Sequence, residues 1–191
     1  MASSKTGERK LQILQTLAAM LENPKGEKIT TAALAARVQV SEAALYRHFA
    51  SKAQMFEGLI DFIENSVFGL INQISEQQED GLLQTQAIAQ MLLNFAERNP
   101  GMTRVLTGDA LVNEDERLQL RMNQLAERIE MAFRQSLRVA AVQGNLADNE
   151  TAARASLMCS FVLGRWLRFA KTGFKNLPTE QAQLQIALLL R

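Results

Sequence analysis

One segment, TTAALAARVQVSEAALYRHFASKAQMF (residues 30–56), constrains the fold more than any other part of the chain. It contains two short helix-periodic stretches joined by a tight turn, followed by the start of a long amphipathic helix. A hydroxyl residue precedes each stretch, and its oxygen can accept a hydrogen bond from an otherwise unpaired backbone N–H at the helix start. The predicted capping residues are Thr30 or Thr31 for the first helix, Ser41 for the second and Ser51 for the third, where Ser51 and Gln54 also have the spacing of a capping box.

The second short helix, Ser41 to His48, is predicted to bury Leu45 and to leave small and polar side chains on its free face. Phe49 is expected to join the core behind it. Two helices joined by such a short turn, the second with a slim polar face, have the form that enters a DNA major groove. The segment therefore predicts a helix-turn-helix.

The polar residues of this segment sort by the part of DNA that they can contact. Hydroxyl and lysine side chains suit phosphates, whereas Ala43 and Ala44 are small enough to lie against base edges and thymine methyl groups. Glu42 can accept from a cytosine amino group or be a solvated acid of the first helical turn, and Arg47 can read guanine or contact phosphate. The predicted DNA-contact residues are Thr30, Thr31, Ser41, Glu42, Ala43, Ala44, Tyr46, Arg47, His48 and Lys52.

The phrase LYRHFASKAQMF, with the alanine-rich helix before it, resembles the signature of the TetR family of DNA-binding proteins. The resemblance implies an all-helical homodimer with a three-helix DNA-binding domain and a helical dimerisation domain. It also implies that Tyr46, His48 and Lys52 meet the DNA backbone. One departure is Gln39, which stands in the turn where the family most often has glycine. If that turn requires a positive φ, Gln39 adopts it at a steric cost.

The remaining chain is helix-periodic throughout, so the predicted fold class is all-α with about nine helices. We expect a DNA-binding domain over residues 1–50, within a TetR-type region of about 7–67, and a regulatory and dimerisation domain over 51–191. The predicted helical details are a first helix from Glu8 to Glu22, an apolar stripe from Phe56 to Ile74 that includes Leu70, a helix capped by Asp148, and a last helix opened by Pro178 and Thr179.

Near the C-terminus, small and apolar residues predict a dimer surface. Small side chains let two helices approach closely, and an apolar helix end would be left exposed on a lone protomer. An ordinary helix pair within one chain would have the same pattern, and both interpretations stay open. The residues concerned are Ala152, Ala155, Ser156, Cys159 and Ser160, together with the terminal run 187–190.

Composition narrows the class of protein. Of the 191 residues, 47% are apolar and 21% charged, which favours a folded chain over a disordered one. Residues 1–60 hold eight Lys or Arg and five Asp or Glu, a mild basic bias at the DNA-binding end of a chain with net charge +1. The single cysteine excludes an intrachain disulfide, and no apolar run reaches the roughly 20 residues of a membrane span. We expect a soluble, cytoplasmic protein.

Catalytic and metal-binding patterns are missing from the sequence. His48 is the only histidine, so a multi-histidine metal site is excluded, and Cys159 is predicted to be a buried packing residue. We find no Ser-His-Asp arrangement, glycine-rich phosphate loop or paired catalytic carboxylates. The chain is therefore predicted to be neither an enzyme nor a cofactor-binding protein.

A second, narrower resemblance lies at FAERNPGMTRVLTGDALVNEDERLQLRMNQLAERIE, residues 95–130. This segment is similar to the corresponding part of the SlmA family of nucleoid occlusion factors. Together with the N-terminal 60 residues, the resemblance covers roughly the first 140 positions and fades after Gly144. The resemblance implies a dimer that binds chromosomal sites and, when DNA-bound, antagonises FtsZ assembly by binding the C-terminal tail of FtsZ. SlmA proteins commonly have arginine where this chain has Leu70, so an acidic tail would lose one cationic partner.

That resemblance also implies a partner-binding site beside the long linking helix. Phe62 and Met91 have an alternative role in the core, and Arg98 and Asn99 can instead cap the helix before Pro100. The implied partner-binding residues are Phe62, Met91, Asn94, Arg98 and Asn99.

A different function within the same class is a transcriptional repressor that a small-molecule ligand releases from DNA. A pocket among the C-terminal helices would then shift the spacing of the two DNA-binding heads. Rows of Met and Phe look alike in a filled core and in a ligand pocket. The sequence therefore leaves this alternative open.

Overall fold

All regular structure in the described part of the chain is helical. A computed structural model describes residues 2–23 and 29–191, with nine α-helices and two short 3₁₀ turns over those ranges. The predicted all-α class is therefore confirmed. The helices are α1 (Ala2–Leu21), α2 (Thr31–Val38), α3 (Glu42–Tyr46), α4 (Lys52–Gln77), α5 (Gly81–Arg98), α6 (Pro100–Leu106), α7 (Glu116–Val142), α8 (Thr151–Lys171) and α9 (Ala182–Leu189), and the 3₁₀ turns are Asp109–Leu111 and Asp148–Glu150.

The first three helices form a small head, and the hydroxyl residues cap its elements as predicted. The Thr30 hydroxyl oxygen accepts from the N–H of Ala33 at 3.1 Å, and the Ser41 hydroxyl oxygen accepts from the N–H of Ala44 at 3.1 Å. Leu45 and Phe49 are buried beneath α3. These caps satisfy backbone donors that the short helices would otherwise leave unpaired.

The start of α4 shows a variant of the predicted capping box. The Ser51 hydroxyl oxygen accepts from the N–H of Gln54 at 3.1 Å. In the expected reciprocal bond, the Gln54 side chain would accept from the N–H of Ser51. It accepts instead from the N–H of Ala50 at 2.8 Å, so the box is displaced by one residue.

The turn between α2 and α3 requires a left-handed residue, and Gln39 supplies it with φ 61° and ψ 48°. The N–H of Gln39 donates to the Ala36 carbonyl at 3.1 Å, and the N–H of Val40 donates to the Ala35 carbonyl at 3.0 Å. This is a left-handed helix C-cap of the kind that glycine usually forms. Gln39 therefore has the positive φ for which a steric cost was predicted.

The body consists of α4 to α9 around one apolar core. Trp166 is fully buried, and its indole N–H donates to the Leu92 carbonyl at 3.1 Å, which joins α8 to α5. Phe133 of α7 is also fully buried. A buried indole needs such a partner, because an unpaired N–H would cost free energy on folding.

Helix α6 of the body docks on helix α1 of the head. Gly101 lies so close to α1 that a Cβ at this position would overlap the carbonyl oxygen of Ala18. Arg104 extends the contact by donating to the Leu21 and Asn23 carbonyls at 3.3 Å each, and it also pairs with Asp109 at 2.6 Å. The end of α1 is thus held by backbone contact and by hydrogen bonds.

Helix α4 runs along α7 with acidic side chains facing arginines. Each exposed pair stabilises only slightly, but the series holds the two helices in one register. The pKa of Arg121 is raised: burial alone would lower it, but the carboxylates of Asp61 and Glu64 outweigh that effect. The contacts are Glu57–Arg117 at 2.9 Å, Asp61–Arg121 at 2.8 Å, Glu64–Arg121 at 2.9 Å, Glu64–Arg128 at 3.6 Å, and the Arg128 guanidinium 3.8 Å from the centre of the Phe68 ring.

Two predictions near the N-terminal half were wrong in detail. The first helix spans Ala2–Leu21 rather than beginning at about Glu8. Leu70 is 40% exposed and lies outside the apolar stripe of α4. Its neighbour Ile71 holds the inward position, and one residue along a helix turns the side chain by about 100°.

Two helix starts near the C-terminus were also wrong. The side chain of Asp148 does not cap α8, since Asp148 lies in a 3₁₀ turn and its carbonyl accepts from the Thr151 hydroxyl at 2.9 Å. Pro178 and Thr179 lie in a turn, and α9 begins only at Ala182. Arg165 holds that turn by donating to the carbonyls of Leu177, Pro178 and Glu180.

Candidate functional sites

The outer surface of α2 and α3 carries the residues predicted to contact DNA. Small exposed positions on α3 leave room for a close approach to base edges. Thr30, Ser41, Glu42, Ala43, Tyr46 and Arg47 are exposed, and Thr31, Ala44, His48 and Lys52 are half-buried.

Hydrogen bonds among three of these side chains join α2 to α3. The Thr31 hydroxyl donates to Glu42 Oε2 at 2.8 Å, and the Tyr46 hydroxyl donates to Thr31 Oγ1 at 3.5 Å. The sequence left Glu42 as either a base contact or a solvated acid. In the structure it accepts an intramolecular hydrogen bond, which holds α3 against α2.

Lys52, a predicted phosphate contact, forms an ion pair with Glu114. Its ammonium also lies 5.7 Å from the centre of the Phe56 ring. Glu114 precedes α7, whose N-cap is Asp115. Glu114 lies 62 residues from Lys52 along the chain, and no sequence pattern relates the two.

His48 occupies a more enclosed position than its neighbour Arg47. Its backbone N–H donates to the Leu45 carbonyl at 3.0 Å. The side-chain Nδ1 is buried and makes no hydrogen bond within the described ranges. His48 therefore lies at the edge of the head, with one ring nitrogen unpaired.

A groove of about 460 Å³ lies between α4 and α5, and we call it the near groove. Four of the five residues that the second resemblance assigned to a partner line it: Met91, Asn94, Arg98 and Asn99. Leu70 lines the groove as well, so the departure from the SlmA pattern falls within this surface. The side-chain amide of Asn99 donates to the Phe95 carbonyl at 2.8 Å, which is the helix-capping geometry that the sequence left open.

Phe62, the fifth of those residues, lies on α4 outside the lining of the near groove. Its side chain is 39% exposed, so the core interpretation of Phe62 is wrong. Met91 is half-buried and forms part of the groove wall. Arg98 is exposed at the end of α5 and supplies the cationic side chain of the groove.

Helices α8 and α9 present an apolar surface, although part of the small-residue pattern serves the chain itself. Ala155 and Cys159 are buried within the protomer, and the Cys159 thiol lies 3.6 Å from the Ala126 carbonyl of α7. Burial raises the pKa of this thiol to about 11, with a further contribution from the charge of Glu130. The exposed apolar side chains on these two helices include Leu157, Leu167, Leu184 and Leu188.

Two negative findings apply to residues 2–23 and 29–191. No three His, Cys, Asp or Glu side chains there are grouped so that they could hold a metal ion. None of the described helices is both long and apolar enough to cross a membrane.

Comparison with known proteins defines the class that the head and the helical body represent. Residues 26–59 match the family described as bacterial regulatory proteins, tetR family. A TetR transcription regulator from Haloarcula marismortui has the same fold, with a TM-score of 0.82 at 14% identity over 96% of this chain and 97% of that one. AibR, solved with isovaleryl coenzyme A and operator DNA, superposes with a TM-score of 0.73 at 15% identity over 95% and 98%. The fold is that of a TetR-type regulator.

Sequence relatives narrow the class. Residues 79–191 match the SlmA-like form of the tetracyclin repressor-like C-terminal domain. The nucleoid occlusion factor SlmA of Idiomarina loihiensis is 50% identical over 188 residues, 97% of this chain and 94% of the relative, and that of Aliivibrio fischeri is 48% identical over 191 residues, 99% and 97%. The chain belongs to the SlmA family of nucleoid occlusion factors. The expectation that the resemblance fades after Gly144 was wrong, because the match continues to residue 191.

Proposed function

We propose that this protein is a homodimer that binds specific chromosomal sites and antagonises FtsZ assembly over the nucleoid. The observation that carries the proposal is the position of the two candidate surfaces on α4, in a chain of the SlmA family. Lys52 begins this helix at the head, and Leu70 lies on it in the near groove. A rise of about 1.5 Å for each residue places these two positions about 27 Å apart along the helix.

In this proposal, the head formed by α1 to α3 binds the DNA. The hydroxyls of Thr30 and Ser41 accept backbone N–H bonds within the head, and each retains its own O–H to donate to a phosphate oxygen. Lys52 adds a cationic phosphate contact. Ala43, exposed on α3, lets the helix lie close to base edges, so the phosphate contacts set the register in which α3 reads sequence.

The near groove suits an acidic, partly apolar peptide such as the FtsZ tail. Arg98 can bind a carboxylate, and Met91 with Leu70 provides apolar walls. Asn94 and Asn99 can pair with the peptide backbone. With leucine at position 70, binding depends more on apolar contact and on the single cation Arg98 than in relatives that have arginine there.

The exposed leucines of α8 and α9 support the homodimer. Leu184 and Leu188 lie one turn apart on α9, so they form one apolar stripe. Burying such a stripe against a second copy removes it from water. We propose that residues 1–50 act as the DNA-binding domain and residues 51–191 as the dimerisation and partner-binding domain, in a nucleoid-associated protein of the cytoplasm.

The test combines genome-wide footprinting with sedimentation of FtsZ polymers. We expect sites scattered over the chromosome but absent near the terminus, and less sedimented polymer only when protein and cognate DNA are both present. Arg98→Glu should abolish the effect on polymer and leave DNA binding unchanged. Arg134→Glu, which also reverses an exposed arginine but on α7, is the matched control and should retain both activities.

Two outcomes would overturn the proposal. Unchanged FtsZ polymer in the presence of bound DNA would remove the division role. A single site beside one operon, with binding relieved by a small molecule, would instead establish the ligand-controlled repressor.

A further inference from the structure

A second groove continues the near groove along α5. We call it the far groove; its volume is about 480 Å³, and its walls come from Gln78 just after α4, from α5 and from α9. Ala87 and Gln90 line both grooves, so the two lie next to each other along α5, and we call the pair the channel. Gln183 and Ile186 form the α9 wall.

The exposed surface of α5 carries two parallel stripes along this channel. Residues four apart lie on the same helix face, one above the other. The polar stripe has three carboxamides followed by a guanidinium, and the apolar stripe runs beside it. The polar residues are Gln86, Gln90, Asn94 and Arg98, and the apolar residues are Leu83, Ala87, Met91 and Phe95.

Charge divides the channel into two halves. Arg98 lies at the end of the near groove, whereas the residues that line the far groove carry no charge. At the junction, the Gln90 side-chain amide donates to Asn94 Oδ1 at 3.2 Å, which joins the carboxamides of the two halves. The polar stripe from Gln86 to Arg98 spans about 18 Å, the length of roughly five or six extended peptide residues.

We propose that the far groove is a second subsite for the same tail peptide that the near groove binds. This inference rests on the proposed function. The acidic part of the peptide lies at Arg98, and an uncharged segment of the same peptide continues past Gln90 towards α9. Gln86 donates to and accepts from the peptide backbone, and Leu83, which is 47% exposed, covers an apolar side chain.

The shared lining residues are the reason for assigning the same occupant to both halves. A peptide held at Met91 and Arg98 and extending towards Gln90 reaches the far groove there, because Ala87 and Gln90 belong to both linings. A carboxamide-lined wall binds peptide backbone without selecting particular side chains, so it suits a segment of low charge. The subsite therefore adds affinity without a new ion pair.

Binding of two labelled peptides to the full chain, with unlabelled cognate DNA present throughout, tests this inference by fluorescence anisotropy. The short peptide is the acidic C-terminal tail of FtsZ, and the long peptide adds about six of the residues that precede it. We expect the long peptide to bind the unmodified protein about fivefold more tightly, as expected for partial burial of one leucine-sized side chain. Leu83→Ala and Gln86→Ala should remove that gain and leave the short peptide unchanged.

Matched variants distinguish the possible failures. Arg98→Ala should weaken both peptides, and Leu120→Ala, at an exposed leucine of α7, should weaken neither. Equal affinities of the two peptides for the unmodified protein would overturn the second subsite and leave the proposed function standing. Failure of both peptides to bind would instead overturn the FtsZ role itself. A dimer that dissociates on Leu83→Ala in sedimentation would assign the far groove to a second copy and overturn the inference.

Discussion

Lys52 and Glu114 form an ion pair that joins the first residue of α4 to the segment before α7. Their side chains are only 24% and 17% exposed, so solvent screens the pair less than a surface pair. Lys52 is also a proposed phosphate contact. On that proposal, DNA and Glu114 compete for one ammonium group, and we expect the pairing in the free protein to oppose DNA binding.

Glu114→Gln should release Lys52 and strengthen DNA binding by about two- to fivefold, which corresponds to the modest worth of one such ion pair. Lys52→Gln should weaken binding about uniformly across sequences and reduce the slope of log affinity against log salt by about one. Anisotropy titrations over a salt series measure both effects. Glu127→Gln, which removes an exposed carboxylate from α7, is the control for net charge. An equal gain from this control would show that the ion pair is not the cause.

Gln39→Gly should stabilise the protein by about 0.5–1 kcal/mol. The left-handed conformation at Gln39 costs about 1–2 kcal/mol for a residue with a Cβ, and the larger conformational entropy of glycine in the unfolded chain offsets part of the gain. Chemical denaturation measures the change. Gln135→Gly, at an exposed right-handed position within α7, should destabilise by about 1 kcal/mol. A loss of stability at both sites would contradict the assigned strain.

Gly101→Ala should destabilise the protein by about 1–3 kcal/mol, because the new methyl group overlaps the Ala18 carbonyl and separates α6 from α1. Gly69→Ala is the matched control, since a Cβ there meets no atom within 4 Å and removes a glycine from the interior of α4. It should stabilise by about 0.5–1 kcal/mol. Thermal unfolding measures both variants, and a neutral Gly101→Ala would show that the head and body separate without cost.

The Cys159 thiol should make stability fall with rising pH above about pH 9. In the folded chain its pKa is about 11, against an ordinary value of 9.0, so the unfolded state loses its proton first. The unfolded state then binds fewer protons, and the free energy of unfolding decreases as pH rises from about 9 towards 11. Denaturation of the unmodified chain and of Cys159→Ala across this range isolates the contribution. Parallel curves for the two proteins would exclude the thiol as the cause.

Local rules predicted much of the head. Thr30, Ser41 and Ser51 cap the helices that follow them because capping depends on a residue and on the backbone within three positions of it. The left-handed turn at Gln39 was predictable for the same reason, since a tight helix-to-helix turn needs a positive φ. These features depend on neighbours in sequence.

Contacts between residues far apart in the chain could not be predicted from the sequence. No pattern relates Lys52 to Glu114, and the turn before α9 depends on Arg165, which binds carbonyls from another part of the chain. Leu70 illustrates the same limit on a smaller scale. Its apolar character suggested the core, but the position of α5 decides that it lines a groove.

The contact of Gly101 with Ala18 also bears on how such proteins can be recombined. A head transplanted onto a body that has any side chain at position 101 would have to tilt away from α6. A functional chimera must therefore carry the first turn of α6 together with the head, although α3 ends at Tyr46 and α6 begins only at Pro100. The residues that must be transferred together are those that share this backbone contact, and they do not form a continuous stretch of sequence.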